Sequence, residues 1–543
     1  MTEVAETTSR QRWTLLLVCT AAFMLLLDIT VVGVALPSIQ RDLHASLPDL
    51  QWVSAAYALV LAVLLLPAAT LGDRLGRRRL FLVGLVIFTI GSLACALAAT
   101  AVQLELFRAL QGVGGAVLFA TATPLLRAEF SGAALARALG AFGATLGGAS
   151  AIGPLAGGVL TATLGWRAIF FVNLPIGVAA FVAGVARLRE SRNPAGGMAD
   201  WVGTGLIIAA LTALMFALIR GNGLGWASPA IVTLFAAAAV AFAGFVFYEL
   251  RIAVAPMADL RLFGRRSFAA TGFVAFAISA TVVGTITYLS LYLQNTLGYS
   301  PVQGGLRLLP MFLASFSVAF LTGRLIGKVA MRVLLGVAMA AAAVGLASMA
   351  HLTATSTWLV LLPGLVLAGI GLGITSTALA SAALSAVEPA RAGMAAGLTN
   401  TLRQVGTATG VAVFGALYAS RVGAATLHHL AGLAGTPGTT HRLADAVASG
   451  AGTRVAATVP SATRAAVAHA AHAGVASGLN DVLLAAAAFA VIGAIVGFAY
   501  GRDPARSTTQ SAPPGPTPDS LVPPPAAQPV TPAPQAWPLA TRM

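Results

Sequence analysis

Long apolar stretches recur along almost the whole chain, and they restrict its possible folds more than any other feature. About fourteen of them reach the roughly 20 residues that a helix needs to cross the hydrocarbon core of a bilayer. Only 9% of the 543 residues are charged, whereas a soluble domain has about 25%. The sequence therefore predicts an all-α polytopic membrane protein. The predicted spans cover approximately residues 13–36, 51–71, 80–100, 103–124, 136–160, 168–188, 201–219, 229–249, 268–293, 306–326, 331–350, 358–384, 395–420 and 479–500.

The basic residues predict how these spans are oriented. Four arginines lie between the second and third spans, and basic residues are frequent in every second connection up to Arg332 but rare in the alternate ones. Because cytoplasmic loops carry the excess of Lys and Arg, the arginine-rich connections and both termini are predicted to be cytoplasmic. The net charge of +15 is therefore interpreted as a topology signal rather than as a sign of nucleic-acid binding.

The spans divide into two sets of six with an additional pair between them. A weak similarity between "LGDRLGRRR" (residues 71–79) and "LIGKVAMR" (residues 325–332), at matching places, indicates two related halves, as in many secondary transporters. The predicted organisation is a cytoplasmic N-terminus (1–12), an N-terminal bundle (13–190), two linking spans (191–262), a C-terminal bundle (263–500) with a long external loop (421–478), and a disordered Pro-rich cytoplasmic tail (501–543).

One carboxylate, that of Asp28, lies about halfway along the first predicted span. A charged side chain at the bilayer centre costs about 2.5–3.5 kcal/mol on insertion scales, so it needs a partner or a function. Asp28 could be a structural acid bonded to a neighbouring helix. It could also be a carboxylate that takes up and releases a proton as its surroundings change.

Arg108 lies inside the fourth predicted span. Its guanidinium could extend to the external end of the span, pair with Glu105 on the same helix face, or act on the proton affinity of Asp28. Arg403 in the thirteenth span is a second candidate cation, which could also bind only backbone carbonyls. The later spans contain no clear mid-membrane Asp or Glu, so no strong preference for multiply charged cationic cargo is predicted.

The stretch "LGDRLGRRRL" (residues 71–80) joins the second and third spans. Anchoring of the loop in the cytoplasm accounts for its four arginines but not for the order Asp-Arg-x-Gly-Arg-Arg. Glycine permits a tight turn at this place. The candidate cytoplasmic gate residues are Asp73, Arg74, Gly76, Arg77 and Arg78.

The fifth span contains "GATLGGASAIGPLAGGVL" (residues 143–160), a helix with a glycine-rich face. Small residues let a neighbouring backbone approach closely, and proline can bend the helix. The face is at least a tight packing seam. The candidate motif residues are Gly147, Gly153, Pro154, Gly157 and Gly158.

Together with "LDITVVGVALP", "GWRAIFFVNLPIG" and "GLTNTLRQVGTATG", these motifs resemble the major facilitator superfamily and, within it, the fourteen-span drug:proton antiporters. The resemblance covers nearly all of residues 13–500. The loop pattern departs from that of the superfamily in its leading Gly, which is Ala69 here. Gly-Pro-x-x-Gly-Gly, present in full at residues 153–158, is the pattern of the antiporters. The resemblance implies a major facilitator fold of two six-helix bundles plus two extra central helices, with no cofactor.

The resemblance also implies roles for single residues. The first-span acid of these antiporters carries the proton, and Asp28 matches it; the coupling arginine followed by Gly matches Arg108 and Gly112. The expected function is proton-coupled export of hydrophobic or amphipathic small molecules, such as drugs, antibiotics or natural products, across the cell membrane by a monomer. The alternatives are a proton symporter that takes up a nutrient and a non-transporting membrane sensor.

Other classes of protein lack support in the sequence. It has no phosphate-binding Gly-x-x-x-x-Gly-Lys-Ser/Thr loop, no Ser/His/Asp set and no regular metal-ligand spacing. An enzyme, an ATP-driven pump and a metal site are therefore not predicted. The expected partners are the lipid bilayer, a small-molecule cargo and protons, without nucleic acid.

Overall fold

The computed structural model describes residues 9–192, 200–253, 256, 258–385, 392–430, 437–448 and 461–500, and these residues are almost entirely helical. The predicted tail 501–543 and residues 1–8 of the predicted N-terminus lie outside the described residues. The helices are α1 (Ser9–Leu43), α2 (Leu47–Leu75), α3 (Arg77–Leu97), α4 (Ala101–Glu129), α5 (Gly132–Leu164), α6 (Ala168–Arg187), α7 (Trp201–Leu224), α8 (Pro229–Arg251), α9 (Arg266–Thr296), α10 (Pro301–Leu325), α11 (Met331–Met349), α12 (Leu362–Ser385), α13 (Ala392–Leu430), α14 (Pro437–Ala448) and α15 (Ser461–Tyr500).

Fourteen of these helices, all except α14, are long and apolar enough to cross a membrane. The predicted all-α fold with about fourteen spans is therefore confirmed. The helices extend beyond the predicted apolar runs because capped polar turns continue the helix past the hydrophobic stretch. The first run was predicted from residue 13 to 36, for example, whereas α1 continues to Leu43.

Equivalent helices of the two halves begin with the same local structure. Ser46 caps α2 and Ser300 caps α10; each side chain accepts a hydrogen bond from a backbone N–H three residues later. The residues at those positions, Asp49 and Gln303, bond back to the cap in both cases, which completes a capping box. The repeated start of the second helix in each half agrees with the two related halves indicated by the sequence.

Helices α1–α6 pack together, and α9–α13 pack together with α15. The linking helices α7 and α8 pack on each other, and α7 lies against α2 and α13. Its contact is an apolar cluster that includes Trp52 of α2, Met215 of α7 and Ala412 of α13. The linking pair thus covers one side of the junction between the two bundles.

The segment 421–478, predicted as an external loop, is mostly helical where the structure describes it. Helix α13 continues to Leu430, and α15 already begins at Ser461. The stretch with His469 and His472 is therefore the first part of α15. The two helices pack closely there: a Cβ on Gly478 would lie 2.8 Å from the backbone nitrogen of Val422. The prediction missed this because Ala, Thr and His lower the hydropathy without opposing the helix.

The two bundles contact each other at the end of the molecule formed by the C-termini of α1, α5 and α9 and the N-terminus of α10, here named the closed end. The Nε2 of Gln294 donates to the backbone oxygen of Val34 (2.7 Å), and the Nδ2 of Asn295 donates to Oε1 of Gln40 (2.8 Å). Nearer the opposite end, a Cβ added to Gly143 of α5 would meet no atom within 4 Å. Contact through the glycines of α5 thus begins near the middle of the helix, at Gly147, and continues to Gly158.

Candidate functional site

Asp28 of α1 and Arg108 of α4 form a buried ion pair. The Nη1 of Arg108 lies 2.5 Å from Oδ2 of Asp28, and the side chains are only 2% and 1% exposed, respectively. The alternative in which Arg108 extends to the end of its span is therefore wrong. Pairing with Glu105 is also wrong, because the carboxylate that pairs with Arg108 is that of Asp28, and Oε1 of Glu105 is buried without a hydrogen-bond partner among the described residues.

Further contacts hold the guanidinium of Arg108 in place. Its Nε donates to the backbone oxygen of Val53 in α2 (3.1 Å), and its Cζ lies 4.4 Å from the centre of the Tyr57 ring. A buried ion pair is stable only when additional hydrogen bonds satisfy both charges. These contacts fix Arg108 between α1 and α2, so that it faces Asp28 across the N-terminal bundle.

Gln111 completes the site, and sequence reasoning missed it. Its Nε2 donates to Oδ1 of Asp28 (2.8 Å) and to Oγ of Ser92 (2.8 Å), while its Oε1 accepts from Nη1 of Arg108 (2.7 Å). Asn173 of α6 donates to Ser92 at 3.4 Å. The signal was present in the sequence, since Gln111 lies three residues after Arg108 and therefore on the same helix face.

The arrangement can couple protonation to helix position. Both oxygens of Asp28 accept a hydrogen bond, one from a cation and one from a neutral amide. Adding a proton to Asp28 would cancel its charge and leave Arg108 buried without a counter-charge, which is strongly unfavourable. Protonation of Asp28 is therefore unfavourable as long as Arg108 keeps its present contacts.

The glycine-rich face of α5 connects this site to the other bundle. A Cβ on Gly157 would lie 3.0 Å from Cα of Val31, three residues after Asp28 in α1. On the other side of α5, a Cβ on Gly158 would lie 2.9 Å from Cα of Val302 in α10. Helix α5 is therefore packed between the helix that carries Asp28 and the first helical turn of α10.

The other predicted residues of this motif also lie where α5 contacts α1 or α10. A Cβ on Gly153 would lie 2.7 Å from Cβ of Thr30 in α1, and one on Gly147 would lie 3.0 Å from the ring of Phe316 in α10. A Cβ added to Gly305 of α10 would lie 2.9 Å from the carbonyl carbon of Pro154 in α5. No side chain larger than hydrogen fits these crossings without displacing a neighbour.

The predicted gate loop forms contacts inside the N-terminal half. Two guanidinium nitrogens of Arg77 contact Oδ1 of Asp73, at 2.9 and 2.8 Å, and Arg78 donates to the backbone oxygen of Val185 (2.6 Å). Arg74 is exposed. Glu190, which the sequence analysis did not single out, accepts from the backbone N–H of Arg78 (3.1 Å), as expected for a carboxylate at a helix N-terminus.

Replacing Gly76 by Ala is expected to lower the free energy of unfolding by about 1–3 kcal/mol, because its φ of 115° is strained for any other residue. The added Cβ would also lie 2.5 Å from Oε1 of Glu190. Thermal unfolding of the purified protein would measure the effect. The control is Gly223→Ala in α7, where a Cβ meets nothing within 4 Å; equal stability of both variants would contradict the expectation.

Arg403 does not join the Asp28–Arg108 pair. Its side chain is partly exposed and makes no hydrogen bond or ion pair with any of the residues that the structure describes. Binding to backbone carbonyls, the alternative considered from the sequence, is therefore not observed.

The sequence profile of the major facilitator superfamily matches residues 18–411, which include the ion pair, the gate loop and the whole of α5. The chain belongs to the major facilitator superfamily. It is thus a multi-pass membrane transport protein. The site described above lies in the first of the two bundles that characterise the superfamily.

Similar members of the superfamily include named resistance and export proteins. The chain is 39% identical over 418 residues to the tetracenomycin C resistance and export protein of Streptomyces glaucescens, covering 76% of each chain. It is 37% identical over 433 residues to the multidrug resistance protein Stp of Mycobacterium tuberculosis, covering 80% of each. It is 38% identical over 414 residues to the cephamycin export protein CmcT of Amycolatopsis lactamdurans, covering 75% of this chain and 85% of that protein.

Solved structures of the superfamily share the fold. A bacterial homologue of the human lysosomal transporter Spinster, in an inward-facing and occupied conformation, superposes with a TM-score of 0.65 at 18% identity. The comparison covers 91% of this chain and 97% of that one. The predicted major facilitator fold is confirmed.

Proposed function

We propose that the protein exports hydrophobic or amphipathic small molecules, such as antibiotics or natural products, across the cell membrane in exchange for protons. Relatives at 37–39% identity are named for antibiotic export or drug resistance, which supports export as the direction of transport. The complete Gly-Pro-x-x-Gly-Gly sequence of α5 supports exchange rather than symport.

The buried pair of Asp28 with Arg108 is the observation that carries the proposal. With 1% exposure, the carboxylate of Asp28 cannot exchange a proton with water in this conformation. Proton exchange therefore requires a second conformation in which the contact with Arg108 opens. Because Asp28 binds a proton more tightly in the second conformation, protonation shifts the equilibrium towards that conformation. In this way proton binding is coupled to the conformational change.

Helix α5 is the element that transmits this change. Its Gly153 and Gly157 pack on α1 beside Asp28, and its Gly158 packs on α10 of the other bundle. Rocking of one bundle against the other must displace α5 and with it the environment of Asp28. A closely packed interface of this kind has discrete alternative packings and does not deform continuously, so α5 is expected to switch between two positions.

The predicted orientation places the closed end outside the cell and both termini in the cytoplasm. At that end the two bundles are joined through Gln294 and Asn295, so the opposite conformation is the one in which these contacts open. Asp73, together with Arg74 and Arg77, would latch the cytoplasmic side in the opposite conformation. In the present one, the recorded hydrogen bonds and ion pairs of Asp73 and of Arg77–Arg79 stay within the N-terminal half.

Everted membrane vesicles test the function and its direction. When respiration acidifies their interior, vesicles that contain the wild-type protein are expected to accumulate tetracenomycin C, the compound named for the Streptomyces relative. Collapse of the proton gradient should abolish the accumulation. A proton symporter would instead keep the compound out, and a non-transporting sensor would leave it at the level of control vesicles; either result would contradict the proposal.

A further inference from the structure

Arg403 carries a charge in the first third of α13 that the described residues leave uncompensated. Two residues earlier, Thr401 bonds to the backbone oxygen of Ala62 (3.2 Å), halfway along α2. Three residues later, Gly406 packs against the backbone of Phe276 in α9. Helix α13 therefore contacts both α2 and α9 at the level of Arg403.

Asn400 shares the helix face of Arg403, since the two residues are three positions apart. Its Nδ2 is buried and has no hydrogen-bond partner among the residues that the structure describes. Gly406 and Gly410, three and seven positions after Arg403, lie near the same face of α13 and pack on α9. The face with Asn400 and Arg403 thus presents two groups of donors that nothing in the described part of the protein accepts.

Arg403 differs from Arg108 of the candidate proton site in that it lacks a paired carboxylate among the described residues. The positive charge of Arg108 is matched by Asp28, whereas no carboxylate pairs with Arg403 among the residues described. A buried or half-buried arginine without a counter-charge is unfavourable unless something else supplies the negative charge. The amide hydrogens of Asn400 add donors but no charge.

We propose that Arg403 and Asn400 bind the negatively charged group of an amphipathic organic anion, which is the cargo class of this exporter. This inference rests on the proposed export function, and it names the chemistry of the cargo. A guanidinium offers planar, paired donors that match carboxylate or sulfonate oxygens. The cargo site and the proton site are then separate and lie in different bundles.

Binding of two matched dyes tests the proposal on the full-length protein in nanodiscs. The probes are 8-anilinonaphthalene-1-sulfonate, which is anionic, and N-phenyl-1-naphthylamine, which has the same ring system without the charge. Arg403→Gln is expected to weaken binding of the anionic dye at least about tenfold, which corresponds to about 1.4 kcal/mol, and to change binding of the neutral dye less than about twofold. Arg403→Lys should retain most of the binding because it keeps the charge.

Asn400→Asp is the second variant, and it leaves Arg403 in place. The new carboxylate would pair with Arg403 and fill the site from within, so it should weaken the anionic dye as much as Arg403→Gln does. Equal binding of the anionic dye by wild type and both variants would overturn the proposal. An equal loss of both dyes, or no binding of the anionic dye to the wild type, would overturn it as well.

An anionic lipid headgroup could occupy the same site as an anionic cargo molecule. The choice of nanodisc lipid distinguishes these two occupants. Affinity for the anionic dye is expected to be the same in phosphatidylcholine and in phosphatidylglycerol. Competition by phosphatidylglycerol would identify a headgroup as the occupant and contradict the cargo assignment. None of these measurements uses a proton gradient, so their failure is distinguishable from a failure of proton-coupled export.

Discussion

Asp28→Asn is expected to reduce proton-driven accumulation of tetracenomycin C in everted vesicles to the level of control vesicles. Asparagine cannot take up a proton, so the step that alternates the two conformations is lost. The variant also leaves Arg108 buried without a counter-charge, which should destabilise the protein by about 3–5 kcal/mol. Transport assays and thermal unfolding would measure the two effects.

A double variant separates the coupling role of Asp28 from its structural role. Asp28→Asn combined with Arg108→Gln removes both charges together and should regain most of the stability that the single variant loses. Proton-driven transport should nevertheless remain absent. Recovery of transport along with stability would show that the pair is only structural, and the proposed mechanism would then be wrong.

Gly305→Val is expected to shift the protein away from the conformation described here. Its side chain would collide with the carbonyl group of Pro154, where α10 crosses α5. Overpacking of this kind costs about 1–3 kcal/mol. Because the collision exists only when the closed end is shut, a difference of about 1–3 kcal/mol would shift the equilibrium between conformations roughly 5–150-fold toward the opposite state.

Distances between spin labels would report the shift. Leu164 of α5 and Leu306 of α10 are exposed positions near the closed end, and Cys19 and Cys95 can be replaced by Ala to leave two labelled sites. The label distance should lengthen in Gly305→Val. It should keep the wild-type distribution in Gly148→Val, because a Cβ on Gly148 meets nothing within 4 Å. An unchanged distance in Gly305→Val would contradict the expected role of this crossing.

The sequence was sufficient to predict the fold class because a bilayer leaves few choices. Apolar runs of sufficient length must become helices that satisfy their own backbone hydrogen bonds. The same reasoning failed where helices leave the apolar region. The last span was predicted from residue 479, whereas α15 already begins at Ser461, in the segment predicted as an external loop.

The candidate site was predictable only in part. Asp28 and Arg108 stand out because charges are rare in membrane spans, and the structure brings them together. Gln111 and Glu190 do not stand out, because a neutral amide or an acid at a loop is common in any chain. Their roles depend on which helices are neighbours, and hydropathy alone does not contain that information.

The lengths of α13 and α15 have a practical consequence. A helix of 39 or 40 residues spans about 60 Å, twice the roughly 30 Å thickness of the hydrocarbon core. Their paired ends, joined through Val422 and Gly478 and bordered by α14, must therefore project well beyond the lipid headgroups. In electron cryomicroscopy, such a protrusion would break the near-symmetry of the two halves and act as a built-in marker for aligning particle images.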